Sequence, residues 1–348
     1  MQRQGYDLSQ TSAIGLRWVI FLSCVNGQHG RVDGPPIGAV HVRFLQSSSA
    51  ATKRALAVAV VALTAVVPAT LAAWGDAGHR LIGLTAAQRL PSDMPAFFRA
   101  ASQQLAYLNP EPDRWKANVE RRLDPALEGG TSPDHYIDMD LVDTAVLRAA
   151  LAAPHRWAYA DSLRPAGVAP NTMGLLPFAI IEQVQRLRND FRLWRIAPDS
   201  TVRAWIEQRI IDDAGILGHF VADGSNPHHT TKHHNGWVGD NPKGYTTDNR
   251  FHGRFESAYV QSHIKAPDVL GAMTHDAQVF PNVRVAVLRY LATTFAQLDN
   301  LYLLDKTATF QPESTTPEQR AFASARLAAG AEMLRDLWYT AWVTSAAP

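Results

Sequence analysis

The chain has 348 residues, of which 46% are hydrophobic and 19% are charged, a balance typical of a globular protein rather than a disordered one. Its net charge is +1 at pH 7, but residues 1–73 are basic, which leaves 27 basic and 30 acidic residues in 74–348. That net charge of −3 disfavours a protein that coats nucleic acid through a strongly basic surface. Cys24 is the single cysteine, so disulfides and thiolate metal sites are excluded beyond it.

Residues 51–73 have the pattern of a secretory signal peptide. Lys53 and Arg54 precede an apolar run over 55–67, and small residues follow up to Ala73. We expect cleavage near Ala73 and export to the periplasm or the medium, with an uncleaved N-terminal anchor as the alternative. Residues 1–50 are interpreted as a leader, either disordered or translated from a start codon assigned too early, and residues 74–348 as one domain.

Helical periodicity dominates the remaining chain, and alternating strand patterns are missing, so we predict an all-α, single multi-helix domain. Helices are predicted over 79–90, 143–153, 175–195, 282–304 and 317–343, and from a cap at Ser200 or Thr201 to Asp223. Thr316, Pro317 and Gln319 form a capping-box start for the last of these. Trp205, Trp338 and Trp342 lie at helical spacings and are predicted to be core residues. Residues 224–251 are rich in Gly, Asn, Pro and His, which predicts a long functional loop.

Seven of the 13 histidines fall between His219 and His263. His219 and Asp223 are spaced i, i+4, which places both side chains on one helix face, one turn apart. His229 follows six residues later, after a proline turn, and His252 and Glu256 repeat the i, i+4 pairing. Imidazole and carboxylate ligands together suit zinc, and manganese or iron also fit this ligand type.

Earlier residues offer further candidate ligands. Asp113 and His135 both lie beside prolines in turn-like segments, and His79 lies on the first predicted helix. If cleavage makes Trp74 the first residue, its α-amino nitrogen and its carbonyl oxygen become a chelating pair. A free α-amine loses its proton near neutral pH, and a metal ion favours that loss further.

These residues together resemble a known superfamily, the zinc-dependent phospholipases C and the single-strand-specific nucleases of the S-one/P-one type. The similar positions are Trp74-Gly-Asp-Ala-Gly-His79, Asp113, His135-Tyr-Ile-Asp138, His219-x3-Asp223-x5-His229 and His252-x3-Glu256, over residues 74–256. The resemblance implies a secreted, nearly all-α protein with a cleft that holds three zinc ions. Two features depart from the pattern. The Asp113–His135 interval is long, which leaves Asp124 and Asp134 as alternatives to Asp113, and Glu256 stands where the nucleases have aspartate.

The resemblance also implies which residues hold each zinc ion. One ion would be held by Asp113, His135, His219 and Asp223; a second by Trp74, His79 and the shared Asp223; and the third by His229, His252 and Glu256. His228 is the alternative to His229.

The same resemblance implies hydrolysis of a phosphodiester by a metal-activated water that attacks phosphorus. Asp113 would orient or deprotonate that water, and Asp223 would bridge two close ions. Arg114 or Lys116 would contact the phosphate, with a solvated loop charge as the alternative for each.

Other residues of the region are expected to contact substrate or to orient ligands. We expect Tyr136, His233 and His234 to contact substrate. Asp138 is expected to orient a ligand histidine through the second nitrogen of its ring.

The sequence leaves the substrate open between two classes, and we expect single-stranded nucleic acid. The short step from Trp74 to His79 resembles the nucleases, Arg114 would repel a choline ammonium, and Tyr136 could stack on a base. The His252–Glu256 pair resembles the phospholipases C, which makes cleavage of phospholipid head groups the alternative. A third reading is a secreted zinc-binding module without catalysis. We expect a monomer without an obligatory protein partner.

Overall fold

The computed structural model describes residues 74–346, apart from the side chains of Leu127 and Glu128. The predicted leader (1–50) and signal peptide (51–73) lie outside the described residues. Within the described range the chain is mostly helical and contains no β-strand, only an isolated bridge between Gln311 and Ser314. This confirms the predicted all-α class.

The described helices vary from short turns to rods of 28 residues. In chain order they are α1 (Gly75–Gln88), α2 (Ala96–Ala100), α3 (Ser102–Leu108), α4 (Glu111–Trp115), α5 (Asn118–Leu123), α6 (Pro125–Thr131), α7 (Thr144–Leu151), α8 (Arg156–Leu163), α9 (Pro170–Met173), α10 (Leu176–Arg195), α11 (Ser200–Asp223), α12 (residues 251–263), α13 (Ala266–Ala272), α14 (Val283–Phe295), α15 (Leu298–Thr307) and α16 (Pro317–Thr344). Three 3-10 turns join them, at Ser132–His135, Arg164–Ala166 and Pro227–Thr230.

Three details of the predicted helices are wrong. The first helix begins at Gly75, four residues before the predicted start at 79, and ends at Gln88. The side chain that caps α11 is Asp199, whose carboxylate accepts a hydrogen bond from the backbone N–H of Val202, so Ser200 and Thr201 are inside the helix. The predicted helix over 282–304 is two helices, because the first ends at Phe295 and the second begins at Leu298. The capping box of Thr316 and Gln319 is confirmed, with both reciprocal hydrogen bonds present.

The core lies where α10, α11 and α16 pack against one another and against α1. Trp338 is fully buried there; its indole N–H donates to the carbonyl of Ala214 at 3.2 Å, and its ring meets Phe98 edge-on. Trp342 packs against the core as expected. Trp205 does not, because its side chain is 69% exposed.

Close packing of α11 against residues 108–109 positions the region of interest. A Cβ on Gly215 would lie 2.4 Å from Leu108, and one on Gly218 would lie 2.3 Å from the side-chain amide of Asn109. Only glycine permits this approach. Asn109 is thereby held against α11 at Gly218, the residue that precedes His219. None of the helices in the range 74–346 is long and apolar enough to span a bilayer.

Replacement of Asp199 by alanine tests the corrected helix start. An N-cap carboxylate stabilises a helix by about 1 kcal/mol, so we expect D199A to lower the thermal midpoint by about 2–4 °C. The matched control is S200A, since Ser200 is exposed and makes no capping bond. Equal midpoints for D199A and the wild type, or an equal loss in S200A, would contradict the assignment.

Candidate metal centre

The centre begins at the C-terminal end of α11, where His219 and Asp223 are both fully buried. Their ligand atoms, Nε2 of His219 and Oδ2 of Asp223, lie 3.2 Å apart. The other ring nitrogen of His219, Nδ1, hydrogen-bonds the carbonyl oxygen of Asn109 at 3.0 Å. That bond fixes the ring so that Nε2 faces Asp223.

His135 and Asp113 join this pair from two separate turns. His135 closes the 3-10 turn Ser132–His135, and its Nδ1 lies 3.0 Å from Oδ2 of Asp223 and 2.9 Å from Nε2 of His219. The Oδ1 atom of Asp113, on α4, lies 3.7 Å from His219 Nε2 and 3.8 Å from His135 Nδ1. The predicted first ligand group therefore comes together with Asp113 in it. The alternatives are elsewhere: Asp124 is exposed, and Asp134 pairs with Arg156.

His79 approaches the opposite oxygen of Asp223. Its Nε2 lies 3.5 Å from Asp223 Oδ1, and its Nδ1 hydrogen-bonds the side-chain oxygen of Asn109 at 3.0 Å. The rings of His79 and His219 stack with centroids 4.1 Å apart. His229 Nδ1 lies 3.6 Å from the same oxygen, Oδ1, so Asp223 faces two histidines with each of its carboxylate oxygens.

The third predicted group, His229, His252 and Glu256, also converges. His252 Nε2 lies 2.7 Å from Glu256 Oε2 and 3.2 Å from His229 Nε2. His229 hydrogen-bonds the carbonyl of His135 through Nδ1 at 2.6 Å, which turns Nε2 toward this group. A π-helical turn, Arg254–Tyr259, carries Glu256; such turns are frequent at functional sites.

The backbone of Trp74, which was predicted to join His79 and Asp223, contacts the third group. In the full chain its backbone nitrogen is an amide, and it donates to Glu256 Oε2 at 2.9 Å. Its carbonyl oxygen accepts the first hydrogen bond of α1, from Gly78. Its indole is fully buried and donates to Ala222 O and Ser225 Oγ, which anchors this end of the chain to α11.

Several buried ligand atoms in the centre have no hydrogen-bond partner: Nε2 of His79, Oδ1 of Asp223 and Oδ2 of Asp113. Buried polar atoms are rarely left unpaired, because each costs a desolvation penalty. Three sets of side chains each bring ligand atoms within 4.8 Å of one another, namely His79, Asp113 and His219; His135, His219 and Asp223; and His229, His252 and Glu256. These three groups, which are largely buried, could each hold a metal ion.

The buried histidines and carboxylates of the centre shift one another's pKa values. Burial alone would raise the pKa of Asp223, but the neighbouring His229 and His219 hold it well below its usual range. Burial opposes protonation of His229, yet the carboxylates of Asp223 and Glu256 raise its pKa to about 9. Burial lowers the pKa of His135 to about 4. Without a metal ion, a protonated His229 therefore balances the buried carboxylates.

Two asparagines that sequence reasoning missed hold the ligands in place. Asn109 orients His79 with its side chain and His219 with its backbone, and Asn226 donates to Glu256 at 3.0 Å. Asn109 stands four residues before Asp113 and Asn226 three residues before His229. Their positions beside predicted ligands are the signal that could have indicated them.

Other predicted site residues lie at varying distances from the centre. Lys116 reaches it, with Nζ 3.0 Å from Asp113 Oδ1. Arg114 turns away, pairing with Glu111 and lying 4.4 Å from the ring centroid of Tyr107. His233 stacks on Trp237 and accepts a hydrogen bond from the Val238 N–H, so its ring serves the loop.

Asp138 makes no hydrogen bond to a ligand histidine; the orienting acceptors are Asn109 and the carbonyl of His135. Its Oδ1 is buried and unpaired, and burial together with Asp140 raises its pKa to about 7. Asp138 faces a cavity of about 400 Å³ that borders the third group. The cavity is lined by Tyr136, Asp138, Asn171, Thr172, His228, His229, His234 and His252. Tyr136 and His234, two of the predicted substrate contacts, both line this cavity.

Removal of Asn109 tests its orienting role. We expect N109A to lower the affinity for zinc, used as the probe ion, by about 10–100-fold, the usual cost of losing a group that orients a ligand. Competition with a chromophoric chelator measures this. The matched control is N189A, an exposed position on α10. Wild-type affinity in N109A would show that the ligands are positioned without it.

The raised pKa of His229 predicts a pH dependence of metal binding. Below about pH 9 this ring carries a proton that a metal ion must displace, so apparent affinity rises with pH and levels off above about 9. Between pH 7 and 9 we expect a gain of up to about tenfold per pH unit at the third group. Titrations with zinc at fixed ionic strength measure it, and a flat profile over that range would contradict the assignment.

Comparisons with protein-family models, curated proteins and solved structures found no match for this chain. The functional assignment consequently rests on the side chains of the centre and their geometry.

Proposed function

We propose that this protein is a secreted zinc-dependent phosphodiesterase that hydrolyses single-stranded nucleic acid. The observation that carries the proposal is the position of Asp223. Its two carboxylate oxygens face different histidines, Oδ1 toward His79 and His229, and Oδ2 toward His135 and His219. A buried carboxylate shared in this way supports two ions held close together, with the third group alongside.

The donor set supports zinc. The three groups offer imidazole nitrogens and carboxylate oxygens, a combination that zinc prefers. When bound, zinc ions would lower the pKa of water and offset charge on phosphoryl oxygens. Asp113, His135, His219, His79 and Asp223 would hold the close pair, and His229, His252 and Glu256 would hold the third ion. The backbone nitrogen of Trp74 lies 2.9 Å from Glu256 Oε2, so the amine freed by cleavage would have to turn from the third group to join the close pair.

The chain supplies two further groups for a phosphodiester. The side chain of Lys116 is largely buried, and Asp113 holds its ammonium at the edge of the centre. An ammonium has three N–H donors, so those not used by Asp113 could bind a phosphate oxygen. Asp113 keeps one oxygen, Oδ2, unpaired and buried, in a position to orient an attacking water. Because water is the proposed nucleophile, the reaction needs no serine or cysteine nucleophile.

The cavity beside the third group favours a nucleobase over a choline head group. Tyr136 offers one aromatic face for stacking, and the carboxyl group of Asp138 lies in the same lining. A quaternary ammonium is usually enclosed by several aromatic rings, but the other rings of this lining are imidazoles. Arg114 no longer counts against choline, because its guanidinium faces Tyr107. Phospholipase C therefore stays the second candidate.

Parallel assays on single-stranded DNA and phosphatidylcholine test the proposal. We expect wild-type protein that begins at Trp74 to cleave the DNA, to lose activity with a chelator and to recover it with zinc. Replacing Asp223 by asparagine removes the shared negative charge and should lower the rate by at least about 10³-fold, as expected when the shared metal ligand is lost. The matched control is D161N, an exposed acid on α8 that pairs with Arg164.

The outcomes separate the candidates. Cleavage of phosphatidylcholine alone would replace the nuclease by a phospholipase C. Bound zinc without hydrolysis of either substrate would favour the module that binds zinc without catalysis. Near-normal turnover by D223N would show that Asp223 is not shared between ions.

A further inference from the structure

A second surface lies at the connection between α10 and α11, far from the metal centre. We call residues 192–205 the hairpin tip, since α10 ends at Arg195 and α11 begins at Ser200. Two large apolar side chains project from it: Ile196 is 70% exposed and Trp205 is 69% exposed. Neither residue contributes to the core, so the fold does not account for their apolar character.

These two side chains flank an apolar groove of about 420 Å³. Seven of its eight lining residues are apolar, and the eighth is Arg209, which pairs with Asp190. A contiguous apolar patch of this kind on a surface marks an interaction site more often than scattered single residues do.

The charges around the groove are mainly positive. Residues 186–209 contain six arginines and three acidic residues, a net charge of +3 in a domain that is otherwise acidic. All three acids are already engaged: Asp190 pairs with Arg209, Asp199 caps α11, and Glu207 accepts a hydrogen bond from Trp194. Arg188 and Arg192, one turn apart on α10, form no ion pair with any described residue.

We propose that the hairpin tip binds an anionic lipid surface, with Trp205 and Ile196 inserted into the headgroup region and Arg192 and Arg203 facing the lipid phosphates. Tryptophan favours the boundary between water and hydrocarbon, and exposed arginines are attracted to anionic lipids. A nucleic acid would be bound by the arginines and Trp205 but would gain nothing from Ile196 and the aliphatic groove. The combination of an apolar tip and a basic rim therefore fits a lipid surface better.

The position of the tip separates this surface from catalysis. The metal ligands His219 and Asp223 lie toward the opposite end of α11 from the tip, about 20–35 Å away along the helix axis. A bilayer bound at the tip would leave the centre open to a soluble substrate. The surface would hold the enzyme near a membrane and would not deliver lipid to the site, so this inference does not rest on the proposed function.

Vesicle sedimentation of the whole protein tests the inference. The vesicles contain phosphatidylcholine alone or phosphatidylcholine mixed with phosphatidylglycerol. Variant I196S/W205S removes the apolar contacts, and R192Q/R203Q removes two charges. The matched controls are W157S, which removes a tryptophan that is 75% exposed on α8, and R164Q, which removes an exposed arginine beside it.

We expect the wild type to bind the anionic vesicles and to bind the zwitterionic vesicles weakly. Each arginine near a charged surface contributes about fivefold, so R192Q/R203Q should weaken binding to anionic vesicles by roughly 25-fold. I196S/W205S should weaken binding by at least about tenfold. Both controls should bind as the wild type does, and hydrolysis of a soluble phosphodiester should be the same in all five proteins.

Three results would overturn the inference. One is a wild type that stays in the supernatant with anionic vesicles, and another is equal binding by the tip variants and the wild type. The third is a tip variant that changes the mass in light scattering or the affinity for single-stranded DNA while its vesicle binding is unchanged. That result would assign the surface to a second copy of the chain or to nucleic acid.

Discussion

The carboxylate of Asp223 is fully buried at the end of α11, and the need to compensate its charge constrains much of the surrounding structure. A buried negative charge is tolerated only when it is paired or coordinated, because its desolvation is costly. Here four histidines from four different segments, His79, His135, His219 and His229, surround the carboxylate, and His229 makes the largest favourable charge interaction with it. The same requirement brings the start of α1, the turn before Tyr136 and the end of α11 to one point.

Everything that supports this point is itself constrained by close packing. Gly218 lets Asn109 approach α11 closely enough to orient two of the histidines with one residue. Trp74 fastens the start of α1 through two indole hydrogen bonds. Since each orienting group holds one ring nitrogen, the other nitrogen of His79, His219 and His229 is aimed into the centre. The hydrogen bonds to the second ring nitrogen of each histidine and the close approach allowed by Gly218 therefore preorganise the site as much as the ligands themselves do.

Helical periodicity predicted the all-α class, and i, i+4 spacing predicted two local ligand pairs, whereas the convergence of the remaining ligand residues was implied by the family resemblance. The two local pairs are His219 with Asp223 and His252 with Glu256. Long-range features were beyond such patterns. Asn109 acts through tertiary contacts across 110 residues, and the direction of Arg114 depends on Tyr107. Trp205 has the spacing of a core residue, but no element packs over that face of α11 within the described residues, so its exposure could not be read from periodicity.

A zinc titration of metal-free protein that begins at Trp74, followed by elemental analysis and by the rate on single-stranded DNA, tests the central claim most directly. A centre built around a shared Asp223 predicts about three zinc ions per chain, with activity that appears only as the ions paired at Asp223 are filled. One zinc ion or none at saturation, or full hydrolysis in the metal-free protein, would contradict it.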